Sequence, residues 1–130
     1  MASRKVCAGA VARSCSAALL IGASTFAAAA QSPLTGDQIR SLMPGSQAEG
    51  TSPRDGKTWY ADYAEDGTYT LRVPDSNWET RGTWQIEGDL WCTERPQRPR
   101  SCRQVIPLGG DEYLFQDERG EGTKATVRRN

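Results

Sequence analysis

The sequence predicts an all-β domain: an antiparallel meander that forms a small barrel, half-barrel or sandwich, with one short N-terminal helix. From Lys57 onward, apolar and polar residues alternate with a period of two, as they do along strands buried on one face. Seven such segments recur at intervals of about ten residues, each bounded by turn-forming residues. No helix-length pattern interrupts them, which excludes a parallel sheet built from alternating strands and helices.

The first 30 residues have the pattern of a secretory signal peptide. Residues 1–14 carry three positive charges and no acid, residues 15–30 carry no charge, and Ala28-Ala29-Ala30 precedes Gln31. The uncharged stretch of 16 residues is shorter than the ~20 apolar residues of a membrane span, so an uncleaved anchor is the less favoured alternative. We expect cleavage after Ala30, which leaves residues 31–130 as a single mature domain in the periplasm or outside the cell.

Composition excludes several classes of function. The chain has 130 residues with 16 basic and 16 acidic side chains and no histidine. Residues 31–130 keep 13 basic and 16 acidic side chains, a balance that argues against nucleic-acid binding. The lack of histidine excludes histidine-based acid–base pairs and histidine-ligated zinc. The sequence contains no EF-hand loop and no glycine-rich phosphate loop, so we predict neither a metal site nor a cofactor.

Two cysteines remain after the predicted cleavage, Cys92 and Cys102, because Cys7 and Cys15 leave with the signal peptide. In an oxidising compartment, two remaining cysteines most simply pair with each other. A zinc site would need two further ligands, and redox-active cysteines usually lie two residues apart. We therefore predict a structural disulfide between Cys92 and Cys102.

Residues 31–56 are predicted to form a short helix followed by a loop. The helix spans Leu34–Met43, where Thr35 and Gln38 have the spacing of a capping box. A helix this short is not stable alone, so its apolar face has to dock on the sheet. The residues after it are rich in Gly, Ser and Pro and are typical of a loop, with room for a short strand near Gln47–Gly50.

Residues 57–130 are predicted to form the antiparallel β-domain. A loop that contains Pro96 and Pro99 connects the fourth predicted strand to the fifth. The aromatic residues expected to point inward and fill the core are Trp59, Tyr63, Tyr69 and Trp84. The seven predicted strands are Trp59–Tyr63, Thr68–Val73, Arg81–Ile86, Leu90–Thr93, Cys102–Leu108, Tyr113–Gln116 and Lys124–Arg128.

Three short hairpin motifs carry a family resemblance: Asp66-Gly67-Thr68-Tyr69, Gly82-Thr83-Trp84 and Gly88-Asp89-Leu90. They resemble the hairpins of lipocalin-like (calycin-type) β-domains, and the whole layout resembles small uncharacterised secreted bacterial proteins. The resemblance implies a barrel-like fold in the periplasm and carries no catalytic residues. The chain departs from true lipocalins in length, because about 100 residues leave little room for a deep ligand cavity.

A basic segment in the predicted loop is the sharpest local feature. Four arginines fall within nine residues, and the predicted disulfide holds the base of the loop: Arg95, Arg98, Arg100 and Arg103. Guanidinium groups bind carboxylate or phosphate through two parallel hydrogen bonds. These arginines are candidate binding residues for an acidic partner protein, a phosphorylated glycan or a lipid headgroup. The alternative is a solvated hairpin loop whose charges keep the protein soluble.

Two tryptophans, Trp78 and Trp91, fall outside the predicted inward face or in a turn. An exposed tryptophan among polar neighbours is a candidate anchor for a sugar or a protein partner. The alternative is that both rings pack under the N-terminal helix or against a neighbouring strand. Both residues are therefore candidate binding residues alongside the arginines.

The resulting hypothesis is an exported, non-enzymatic binding module that docks an anionic partner through a disulfide-pinned arginine loop. One alternative is a small periplasmic inhibitor of a hydrolase or protease, and another is a carrier of a small apolar ligand inside the barrel. Three pairs of acids lie at predicted turns, where solubility explains them, so no catalytic residue is predicted. We expect a monomer whose partner is a protein or an envelope component, with no nucleic acid bound and no stable membrane insertion after signal cleavage.

Overall fold

The computed structural model describes residues 31–130, which form a closed barrel of eight antiparallel strands with one α-helix. Each strand pairs with the next along the chain, and the last pairs with the first. This architecture confirms the predicted small all-β barrel with one short helix. The predicted signal peptide, residues 1–30, lies outside the described residues. The helix is α1 Gly36–Leu42, and the strands are β1 Ser46–Thr51, β2 Thr58–Tyr63, β3 Thr68–Val73, β4 Trp78–Glu87, β5 Leu90–Arg95, β6 Arg98–Gly109, β7 Glu112–Gln116 and β8 Gly122–Arg129.

Helix α1 begins with the capping box that its sequence predicts. The Thr35 hydroxyl accepts the Gln38 backbone N–H at 3.2 Å, and the Gln38 side chain accepts the Thr35 N–H at 2.8 Å. Because Thr35 is the N-cap and Met43 the C-cap, the helix is shorter than the predicted Leu34–Met43. The paired caps satisfy the first free N–H groups of a helix with only seven residues.

Helix α1 covers one end of the barrel. Ile39 and Met43 are fully buried in the main core. The Gly36 N–H donates to Asp89 Oδ1 at 2.7 Å in the turn between β4 and β5, and the Leu34 N–H donates to the Val105 carbonyl at 2.8 Å. The opposite end carries the β1–β2, β3–β4, β5–β6 and β7–β8 connections, because consecutive antiparallel strands turn at alternate ends.

Strand β1 is the main departure from the sequence-based expectation, which placed a loop there with a short strand near Gln47–Gly50. All six residues of β1 pair with β2, and five of them, residues 46–50, also pair with β8, so this strand closes the barrel. Its inner face carries only small side chains. The ring of Trp59 on β2 occupies the space beside Gly50, where an added Cβ would lie 2.5 Å from Trp59 Cζ2. The small residues of β1 weaken the strand pattern in the sequence, and they leave space for the Trp59 ring on the neighbouring strand.

The β5–β6 hairpin also differs from the prediction of a long loop. Strand β6 begins at Arg98, so only Pro96 and Gln97 connect the two strands. The pairing shifts register between Thr93 and Arg95, a β-bulge that places Pro99 where no regular ladder bond is needed. Cys92 and Cys102 are direct cross-strand partners in this hairpin and form the predicted disulfide, with an S–S distance of 2.08 Å.

The aromatic core is centred on Trp91, which the sequence placed off the inward face. That expectation is wrong, because the Trp91 ring is only 3% exposed. It packs edge-on to Tyr63 with centroids 5.1 Å apart, and it stacks on Trp84 at 5.0 Å. Its neighbour Leu90 points outward and is 36% exposed. Within residues 31–130, no helix is both long and apolar enough to cross a bilayer.

Candidate anion-binding site

A cavity of about 310 Å³ opens at the end of the barrel opposite helix α1. Tyr63 and Tyr69 form its floor, and the Ser52–Pro53 segment of the β1–β2 connection forms part of its rim. Of the four aromatic residues expected to point inward, Trp59, Tyr63 and Tyr69 line this cavity and Trp84 does not. The apolar part of its wall consists of Trp59, Leu71, Val73, Trp78, Trp91 and Phe115.

Three of the four candidate arginines line this cavity: Arg95, Arg98 and Arg103. We call the cavity the mouth of the barrel and these three residues the mouth arginines. Alternation along β5 places Trp91, Thr93 and Arg95 on one face. Arg103 lies opposite Trp91 across β5 and β6, and Arg98 lies opposite Arg95. In a closed ring of eight strands, β5 lies across from β1 and β6 lies across from β2. Arg95 therefore faces the small inner surface of β1, and Arg98 and Arg103 face β2, which carries Trp59.

The fourth arginine belongs to a different surface. Arg100 forms an ion pair with Glu87 of β4, and both side chains are substantially exposed. It lies on the strand segment between Arg98 and Cys102 but does not line the mouth cavity. The prediction of a disulfide-pinned loop that carries all four arginines is therefore wrong in its shape: a two-residue turn replaces the loop, and Arg100 does not line the cavity with the other three.

The arginines of the mouth lack partners within the described part of the chain. None of the three forms a salt bridge to another residue of 31–130. The Nε atoms of Arg95 and Arg103 are buried and have no hydrogen-bond partner among these residues. Leaving a buried donor unpaired costs about 1–3 kcal/mol, and more when the group is charged. The mouth therefore holds positive charge that an external anion would satisfy.

Trp78 and Arg95 form a pair at the rim. The Arg95 guanidinium lies over the Trp78 ring, 5.6 Å from its centroid. Trp78 begins strand β4 opposite Val73 and lines the cavity, so the expectation that it lies off the inward face or in a turn is wrong, although its ring is 37% exposed. Trp91 lies at the inner wall of the same cavity. The tip of the β5–β6 hairpin is also held against β4, because the Thr80 hydroxyl donates a hydrogen bond to the Gln97 side chain at 3.1 Å. These contacts orient Arg95 before any ligand arrives.

Carboxylates near the rim accept hydrogen bonds from backbone N–H groups of the turns in which they lie. Backbone hydrogen bonding from Lys57 lowers the pKa of Asp55 below its ordinary value. Asp117 Oδ1 accepts the N–H groups of Arg119 and Glu121 at 2.9 and 3.0 Å. These local bonds explain why the nearby acids do not neutralise the mouth arginines.

The floor of the cavity contributes a hydroxyl that stays protonated. Burial, followed by the neighbouring Tyr69, raises the pKa of the Tyr63 phenol well above its ordinary value, while Arg103 acts in the opposite direction. Tyr63 and Arg103 line the same cavity. A neutral phenol beside a guanidinium offers hydrogen bonding without a competing negative charge.

Several lining residues were missing from the sequence-based candidates, notably Leu71, Val73, Phe115 and Thr123. Period-two alternation already places the first two on an inward face, so that pattern could have marked them. On the outer face, ligand atoms of Glu87, Cys92 and Cys102 lie within 4.8 Å of one another. Because the two sulfurs are bonded to each other, neither is a thiolate that could bind a metal.

The ligand of this mouth has to be inferred from the residues that line it. The resemblance of the hairpin motifs to lipocalin-like β-domains stays a prediction. Comparison of the chain with models of protein families, with curated proteins and with solved structures finds no match.

Proposed function

We propose that this protein is an exported, non-enzymatic binding protein that takes a small organic anion into the mouth of its barrel. The apolar part of the ligand contacts the aromatic wall, and its anionic group binds the arginines. This proposal joins two of the sequence-based hypotheses, anion docking and carriage of an apolar ligand, in one cavity.

The unpaired Nε atoms of Arg95 and Arg103 carry the proposal. More than nine in ten buried polar groups in folded proteins have a hydrogen-bond partner. In residues 31–130, the buried side-chain atoms without one are these two, and both belong to residues of one cavity. A bound carboxylate or phosphate offers acceptor oxygens to both and offsets their positive charge.

The size and lining of the cavity support a small ligand. Its volume of about 310 Å³ lies at the lower limit of the ~300–1,000 Å³ usual for small-molecule sites. Such sites combine apolar walls with a few convergent polar groups, and this mouth combines both kinds of surface in nearly equal parts. A macromolecular anion would reach only the rim, where Arg98 and Trp78 are exposed.

Export supports the same proposal. The Cys92–Cys102 disulfide is typical of proteins that fold in an oxidising compartment. The pattern of residues 1–30 is that of a cleaved signal peptide. We therefore propose a periplasmic or secreted location, where the protein meets small molecules that enter the envelope.

A second candidate function is inhibition of a hydrolase or protease. It is supported by the hairpin tip, where Pro96, Gln97, Arg98 and Pro99 are all exposed and the disulfide braces the strands behind them. A braced tip loses little entropy when it enters an enzyme cleft. Replacing Pro96 with alanine would weaken such inhibition and leave small-anion binding unchanged.

Titration calorimetry with the purified exported protein tests the proposal. Benzoate, phenyl phosphate and phenyl sulfate serve as aromatic anions, and benzyl alcohol serves as the neutral probe. We expect at least one anion to bind, benzyl alcohol to bind at least about tenfold more weakly than that anion, and the R95M/R103M variant to lose the difference.

The matched control is R100M, which removes an arginine of the same hairpin that faces away from the mouth. It should bind the anion like the parent protein. Equal binding by the parent and the folded R95M/R103M variant, or no binding of any anion, would refute the proposal.

A further inference from the structure

We infer that the anionic group recognised in the mouth is a phosphate monoester on an aryl body, an inference that rests on the proposed function and specifies its ligand class. The choice follows from how many guanidinium groups line the cavity, which hydroxyls accompany them and what the opposite wall is made of.

The positive charge that lines the cavity itself exceeds what one carboxylate neutralises, because three arginines and no acidic residue line it, whereas the wider rim adds Arg54 and the acids Asp55, Asp117 and Glu121. Arg95, Arg98 and Arg103 line both the cavity and the wider rim around it, and none has a salt bridge within residues 31–130. A carboxylate carries one negative charge and two acceptor oxygens. A phosphate monoester at neutral pH carries close to two negative charges and three terminal oxygens, so it offers acceptors to several guanidinium groups at once.

Hydroxyl groups complete the set of donors. Thr93 of β5 and Thr123 of β8 line the same cavity as the arginines, and Ser52 lies at its rim. Each hydroxyl can donate one hydrogen bond to a phosphate oxygen. Donors from strands on different sides of the barrel suit a tetrahedral group better than a planar one.

The wall across the barrel from Arg98 and Arg103, formed by β2 and the neighbouring β3, fits a ring. Trp59, Leu71 and Val73 present apolar surface, and Trp78 extends that surface to the rim. Flat aromatic bodies pack well against tryptophan rings, and Arg95 already lies over Trp78. The cavity volume of about 310 Å³ suits one aryl group with its phosphate rather than a long chain.

The second ionisation of the phosphate gives a test specific to this ligand class, since its pKa is ~6. The charged or titratable groups that face the arginines are Arg54 and Asp55 of the β1–β2 connection, Asp117 and Glu121 of the β7–β8 connection, and Tyr63 of the floor. Carboxyl groups ordinarily titrate near pH 4 and phenols near pH 10, and the chain has no histidine. Between about pH 5 and 7.5, the charge change therefore belongs to the phosphate ester.

The experiment compares phenyl phosphate, phenyl sulfate, benzoate and inorganic phosphate by titration calorimetry at about pH 5 and pH 7.5. At the higher pH we expect phenyl phosphate to bind at least about tenfold more tightly than phenyl sulfate, which has the same shape and one charge. This advantage should shrink at pH 5, where the phosphate ester loses its second charge, while phenyl sulfate binding stays constant. R103M should lose the advantage, and R100M should keep it.

The possible outcomes separate this inference from the proposed function. If phenyl sulfate and benzoate bind as tightly as phenyl phosphate, and R103M weakens all three, the mouth binds anions but the phosphate inference is wrong. If inorganic phosphate binds as tightly as phenyl phosphate, the aryl part is wrong. If no probe binds the parent protein, both the inference and the proposed function are overturned.

Discussion

Trp91 and Arg103 lie opposite each other across strands β5 and β6, one register position from the Cys92–Cys102 disulfide. The covalent bond on the outer face therefore holds together the two strands whose inner face carries the largest core ring and a mouth arginine. The disulfide stabilises the fold and the candidate site through the same hairpin.

Removing the Cys92–Cys102 disulfide tests how much it stabilises the fold. We expect C92S/C102S to lower the free energy of unfolding by about 2–3 kcal/mol, since the disulfide closes a short chain loop with a sequence separation of 10. Denaturant unfolding with and without a reducing agent measures the effect. The reducing agent should not change the stability of C92S/C102S. Equal stability of parent and variant under oxidising conditions would contradict the prediction.

Arg103 is expected to reduce stability in the unliganded protein. Its buried Nε lacks a partner within residues 31–130, and methionine keeps much of the apolar stem without the charge. R103M should therefore raise the free energy of unfolding by about 1 kcal/mol at neutral pH while it weakens anion binding. R100M is the matched control, because loss of an exposed ion pair should change stability by less than ~1 kcal/mol. A less stable R103M would show that Arg103 supports the fold.

The fold was largely predictable because most strands alternate apolar and polar residues. For β1 the sequence indicated only a short strand near Gln47–Gly50 within a loop, because Ser46, Ala48 and Gly50 form its inner face and small residues give no apolar alternation. Their smallness is set by the Trp59 ring on the neighbouring strand, a tertiary requirement that local sequence does not reveal.

The site was predictable in composition but not in shape. The cluster of arginines was visible in the sequence because of its charge. Pro96 and Pro99, however, indicated a long loop, where the structure has a two-residue turn. The register shift near Arg95 depends on strand pairing, which a local pattern does not specify. Trp91 was placed off the inward face because Leu90 beside it is also apolar, which leaves the face of a short strand ambiguous.

Trp78 and Trp91 line one cavity but should respond differently to truncation. Trp91 is 3% exposed and packs against two aromatic rings, so W91A should cost about 3–5 kcal/mol of stability. Trp78 is 37% exposed at the rim, so W78A should cost less than about 1.5 kcal/mol and mainly weaken binding of aromatic anions. Thermal unfolding and calorimetric titration of both variants measure the difference. Equal stability losses would argue against a rim position for Trp78.

Any side chain at Gly82 is expected to lower the free energy of unfolding, because the Tyr69 ring lies over this position. A Cβ at this position would lie 2.6 Å from Tyr69 Cε1 and 2.3 Å from the Glu94 carbonyl oxygen. G82A should therefore destabilise the barrel by about 1–3 kcal/mol through overpacking. T83A, an exposed neighbour on the same strand, is the control and should change stability by less than 1 kcal/mol, about the span of strand propensities. A folded G82A with parent stability would contradict this packing.

The turn between β2 and β3 should make stability depend on pH through Asp66. Its Oδ1 accepts the Thr68 hydroxyl at 2.7 Å and the Thr68 N–H at 3.0 Å, and these bonds lower its pKa from the ordinary 3.8. Because the folded-state pKa is depressed, this contribution is present above pH ~4 and is lost as the pH falls through the folded-state value.

The stability difference between the parent and D66N should therefore shrink as the pH falls below 3.8, the ordinary value for this carboxyl. Denaturant midpoints measured from neutral pH downward test this dependence, and NMR titration of the Asp66 carboxyl reports its pKa directly. T68V removes the hydroxyl donor and should move that pKa back toward its ordinary value. A stability difference that stays constant with pH would show that the hydrogen bonds to Thr68 are not coupled to folding.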